Sequence, residues 1–167
     1  MVRELHSKKI FGIDPGSTTI GYGVIHCNHK ISNPTSVGYG YIDLKGHKSQ
    51  EIRLLQLHED LKKLLRLYKP DCIAIENVYF FKNAKTITPV AQSKGVILMT
   101  AAQLKIKVHE YTPLQIKQTI SGYGKADKKL IHKLIQSTLN IKSNIRPDDV
   151  SDALAIALCH LRHLTPN

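Results

Sequence analysis

The sequence predicts an α/β fold in which a mixed central sheet is flanked by helices. Three observations carry this reading. Short β-prone runs crowd the first 44 residues, two further apolar runs (Cys72 to Ile75 and Ile106 to Tyr111) are separated by helical patterns, and apolar residues recur at helical spacing in the later segments. The resulting order, βββαβαβαα(α), implies a mixed sheet with helices packed on its faces.

Lys9 to Asp14 and Gly21 to His26 are β-prone runs around the turn-like Pro15-Gly16-Ser17, and Val37 to Leu44 alternates small and apolar residues, so the three read as a meander. From Ser49 to Tyr68, Ile52, Leu55, Leu57, Leu61, Leu64, Leu65 and Tyr68 recur at mostly helical spacing, and Pro70 stops the pattern. Cys72-Ile73-Ala74-Ile75 is short, apolar and flanked by Asp71 and Glu76, which suits a buried strand ending in a carboxylate. Val90 to Leu104 has the length and composition of a buried helix, with Pro89 expected in or before its first turn. That helix suits either the core or a dimer contact.

Ile106 to Tyr111 is strand-like, and Thr112-Pro113 then supplies an N-cap and a proline at the first helical position of a short helix ending near Gly122. Lys128 to Leu139 is amphipathic through Leu130, Ile131, Leu134, Ile135 and Leu139. A last helix, Asp148 to Leu164, places Ala153, Leu154, Ala157, Leu158 and Leu161 on one apolar face. His160 and His163 near its end read as cations favouring the helix dipole.

With 167 residues, the chain is the size of one domain, and no repeat or linker divides it. Hydrophobic residues make up 42% and charged residues 22%, which is too apolar for intrinsic disorder. Lys and Arg number 24 against 13 Asp and Glu, a net +11, so a polyanion is the expected partner. Cys27, Cys72 and Cys159 are an odd number without metal-type spacing, which suits a reducing cytoplasm and suggests neither a disulfide framework nor a zinc site. Met1 to Lys9 lacks an apolar signal core, and no run is long enough to span a bilayer.

The acids carry the chemical signal. Asp14 ends the first strand, Glu76 ends a later one, and Asp149 and Asp152 lie three residues apart on one face of the last helix. Adjacent Asp148 is rotated away by about 100°. Taken singly, Asp14 also suits the turn before Pro15, and Asp149 and Asp152 also suit a helix start. Glu76 has no such role. Clustered carboxylates repel one another unless protonated or bridged by cations, and hard oxygen ligands favour Mg²⁺ or Mn²⁺, so a two-metal phosphodiester site is the chemical use that joins all four.

Several motifs resemble one family. Ile13-Asp14-Pro15-Gly16-Ser17 leading to Gly21-Tyr22-Gly23, Ala74-Ile75-Glu76, Gln115 to Thr119, Gly122 to Ala126, and Asp149 to Ala155 together resemble the RuvC Holliday junction resolvases, in order and over nearly the whole chain. Only Met1 to Ser7 look like an unmatched extension of a single nuclease domain spanning 1–167. The resemblance implies a ribonuclease H-like fold and a homodimer that nicks two like-polarity strands of a four-way DNA junction, leaving 5′-phosphate and 3′-hydroxyl ends. It also implies that Asp14, Glu76, Asp149 and Asp152 bind two Mg²⁺ ions, with Mn²⁺ as a substitute. Lys117 and Lys128 would lie near the cleaved phosphate, and Tyr79, at a usually phenylalanine position, would stack on DNA bases. RuvA and RuvB branch-migration proteins are candidate further partners. Two other readings stand beside it: a RuvC-like nuclease acting on structured RNA, and a non-catalytic basic DNA-binding module. A sugar-kinase or actin-like ATPase, suggested by Asp14 to Gly23 alone, would need a second phosphate loop and two related domains, for which the chain is too short.

Overall fold

Alternation along the first strand sets the two faces of the sheet. In β1 (Lys8–Asp14), Ile10 packs on one side and Phe11 and Ile13 on the other, because successive side chains of a strand point oppositely; Gly12 and Asp14 therefore share the face of Ile10. The structure, a computed structural model, describes residues 7–28, 33–46, 49–77 and 84–164. Tyr79, expected to stack on bases, lies outside the described residues.

β2 (Thr19–Cys27) runs antiparallel to β1, and β3 (Thr35–Asp43) antiparallel to β2, forming the expected meander. β4 (Cys72–Glu76) pairs in parallel with β1, and β5 (Lys107–Tyr111) in parallel with β4. The sheet order is β3-β2-β1-β4-β5, so it is mixed, as the sequence predicts.

One face is covered by α1 (Gln50–Tyr68) and α2 (Ala84–Gln103). Leu57, Leu61 and Leu65 of α1 and Ile97 and Ala101 of α2 bury against Phe11, Ile13, Ile73 and Ile75, each large side chain contributing about 1.5–3 kcal/mol of apolar transfer. α1 ends where Lys69 takes a left-handed conformation and its N–H donates to the Leu65 carbonyl; Pro70 follows. On the other face lie α3 (Pro113–Ser121), α4 (Lys128–Thr138) and α5 (Asp148–His163).

Three local expectations change. α2 begins at Ala84, so Pro89 lies inside it rather than at its start. The proline forfeits one backbone hydrogen bond in the second turn, and burial of Val90, Ser93 and Ile97 outweighs that loss. α5 is buried on every side from Ala153 to Leu161 instead of along one face, because it is sandwiched between the sheet and the α3–α4 pair. Within it, His160 is only 2% exposed, and burial, followed by His109 and His163, pushes its pKa down to about 4. It is therefore neutral at pH 7 and is no cation for the helix dipole.

Candidate active site

Two parallel strands deliver the first pair of acids. β1 and β4 are in register at Ile13 and Ile75, so the residues that follow, Asp14 and Glu76, end adjacent strands side by side. Alternation from Cys72 and Ala74, both on the α5 face, turns Glu76 to that face as well.

Glycines deliver the second pair. Asp14 is paired across the β1–β2 ladder with Gly21. A methyl group on Gly21 would overlap the Asp149 carbonyl oxygen, and one on Gly12 would overlap the Ala153 carbonyl oxygen. The missing side chains let the first turns of α5 lie directly on β1 and β2. Asp149 and Asp152, one helical turn apart, thereby come over Asp14.

Capped helix starts deliver the lysines. The Thr112 hydroxyl accepts from the Gln115 N–H, the Gln115 side chain accepts from the Thr112 N–H, and Pro113 occupies the first turn, so α3 presents Lys117 from a fixed origin. The Asp127 carboxylate caps α4 by accepting from the Leu130 N–H at 2.7 Å, immediately before Lys128. Asp14, Glu76, Asp149, Asp152, Lys117 and Lys128 all line one cleft of about 580 Å³. Asp148 does not line that cleft; its carboxylate lies 3.0 Å from Arg146.

The electrostatics are those of crowded, part-buried anions. Burial, then Asp152, Glu76 and Asp149, hold the Asp14 carboxyl well above the ordinary aspartate range, with Lys128 opposing. Burial, then Asp152, push Glu76 up to about 7 against the pull of Lys128 and Lys117. Asp152 is also raised, chiefly by burial, although Lys128 donates to it at 3.1 Å. Burial works against the Lys128 ammonium, yet Asp152 holds its pKa above the usual lysine value.

Such an array gains most from added positive charge. All-oxygen donors are hard ligands of the kind that Mg²⁺ or Mn²⁺ takes, so the donor set fits divalent cations.

Sequence reasoning singled out all six charged residues of the cleft but missed two residues that place them. Gly12 carried a signal, a glycine inside an apolar strand that marks close backbone approach, and Asp127 another, an acid directly before an amphipathic helix.

The chain resembles known proteins over most of its length. The family model described as crossover junction endodeoxyribonuclease RuvC matches residues 10–160. A protein of that name from Syntrophomonas wolfei is 46% identical over 92% of this chain and 88% of its own. Another from Caldicellulosiruptor saccharolyticus is 42% identical over 92% of each chain. Among solved structures, T. thermophilus RuvC in complex with Holliday junction substrate superposes with a TM-score of 0.87 at 27% identity, covering 94% of each chain. The ribonuclease H-like architecture expected from the motifs is therefore borne out, and the chain belongs to the RuvC family of crossover junction endodeoxyribonucleases.

Proposed function

We propose that this protein is a structure-selective, Mg²⁺-dependent endonuclease that resolves four-way DNA junctions by paired, symmetric nicks. One observation carries the reading: four carboxylates from β1, β4 and α5 share a single cleft with two lysines. The solved T. thermophilus relative bound to a Holliday junction supports the substrate class, and the net charge of +11 suits a DNA backbone.

Asp14, central among the acids, would hold both ions, with Glu76, Asp149 and Asp152 completing their shells. When bound, the ions supply a lowered water pKa on the attacking side and positive charge for the leaving 3′ oxygen. Lys117 holds the phosphate and offsets charge on its equatorial oxygens. Lys128, donating to Asp152 at 3.1 Å, opposes the rise in that carboxyl's pKa and adds a second positive charge beside the acid cluster. The products are 5′-phosphate and 3′-hydroxyl ends, which a ligase can rejoin. One cleft per chain implies two copies for two nicks, hence a homodimer, acting in the cytoplasm where RuvA and RuvB would deliver junctions. Tyr79, just beyond Glu76, would stack on the opened bases.

The test incubates the protein with a synthetic four-way junction, linear duplex DNA and structured RNA, with Mg²⁺ and without. Paired nicks confined to the junction, and only with Mg²⁺, are expected. Cleavage of RNA in preference, or junction binding with no cleavage under any divalent cation, would overturn the reading.

A further inference from the structure

At the other end of β4 and α5, three side chains with no part in the proposed hydrolysis converge. Cys72 opens β4, His109 is the central residue of the edge strand β5 and pairs with Ala74, and His160 lies in the last turns of α5. One ligand atom from each, the Cys72 sulfur and a ring nitrogen of each histidine, all lie within 4.8 Å of one another. The two imidazole rings stack with centroids 4.2 Å apart.

His160 is the informative member. It is 2% exposed, its Nδ1 lies 2.6 Å from the Tyr111 hydroxyl, and its buried Nε2 has no hydrogen-bond partner among the described residues. A buried imidazole nitrogen left unpaired is costly, and such atoms call for an explanation. If Nδ1–H donates to Tyr111, Nε2 presents a bare lone pair, the arrangement in which a metal-bound histidine is oriented by its other nitrogen.

We propose that Cys72, His109 and His160 form a second metal site, separate from the carboxylate cleft, that takes one borderline-soft ion of the Zn²⁺ class. Sulfur and imidazole donors select Zn²⁺ over Mg²⁺. A tetrahedral zinc shell spaces such ligand atoms about 3.5 Å apart, so the three must close by about 1 Å and the His109 ring must turn out of its stack on His160 for both nitrogens to face one ion. The fourth position falls to water or an external ligand from the solvent side of β5. Burial, with Asp71 adding and Lys8 opposing, pushes the Cys72 thiol up to about 11, so its proton leaves to solvent as the metal–sulfur bond forms. His160 is already in the neutral form that ligates. The ion would tie together β4, β5 and α5, of which β4 and α5 carry Glu76, Asp149 and Asp152.

Co²⁺ serves as a spectroscopic probe, titrated into the full, reduced chain with Mg²⁺ saturating the carboxylates. The expected result is a thiolate-to-cobalt charge-transfer band that saturates at one equivalent, disappears on adding Zn²⁺, is lost in Cys72→Ser and persists in Cys159→Ser. His109→Ala, on the edge strand, guards against misfolding of the buried Cys72 variant, and Co²⁺ affinity there should fall about 100-fold. Absence of the band, its persistence in Cys72→Ser, or unchanged affinity in His109→Ala would overturn the proposal. None of these outcomes depends on nuclease activity.

Discussion

Glu76 closes an apolar strand where a carboxylate is out of place unless a cation meets it. Its folded pKa of about 7 lies above the ordinary value of 4.5, so the folded state binds an extra proton between them. Without divalent metal, that contribution to stability is fully present below about 4.5 and is lost as pH rises to about 7, Asp14 acting in the same direction. Metal-free melting between pH 4.5 and 7.5 should show this decline, Glu76→Gln should flatten it, and Mg²⁺ should raise the melting temperature most at the high-pH end. Asp14→Asn and Glu76→Gln should each lower Mg²⁺-dependent cleavage by at least about 100-fold while junction binding persists; parallel loss of binding and cutting would refute the metal-ligand roles. Lys117→Ala should slow cleavage by about 100-fold with a smaller loss of affinity, read by single-turnover rates against binding titrations. The acids were legible in the sequence because each sits at the end of a periodic element. His160 was not, since nothing in the helical pattern of α5 reveals that it turns against Tyr111 and His109 of β5.

Contact between α5 and the sheet is the element on which the cleft depends. Gly21→Ala places a methyl group against the Asp149 carbonyl, so it should cost about 1–3 kcal/mol by overpacking. It should also reduce cleavage more than a comparably destabilising change in α1, because the shift displaces Asp149 and Asp152. Thermal melting and cleavage rates measured on both variants separate the two effects. Asp127→Ala should cost about 1 kcal/mol through the lost α4 cap. Strand and helix identities followed from periods of two and 3.6, and the Thr112 capping box from its residue types. The start of α2 did not, because the penalty at Pro89 is local whereas burial of Val90, Ser93 and Ile97 depends on the sheet beneath them.

For the whole molecule, charge and copy number become the relevant variables. The net +11 predicts junction affinity that falls steeply as salt rises. If two copies act together, heterodimers of wild-type and Asp14→Asn chains should bind junctions and leave single nicks, whereas wild-type homodimers leave paired ones; nicked-circle assays on a cruciform plasmid distinguish the two. Equal yields of paired nicks from both would refute the one-cleft-per-chain scheme.

The sequence by itself determined the α/β class, the order of elements and the ends of strands and helices at which carboxylates stand, because these follow from local periodicity and residue chemistry. Tertiary structure alone decided which groups meet. Asp14 reaches Glu76 through a β1–β4 register between segments some 60 residues apart, and Asp149 through bare glycines under α5. Cys72, His109 and His160, without metal spacing in the chain, converge for the same physical reason: distances between remote segments are set by packing, which no local pattern encodes.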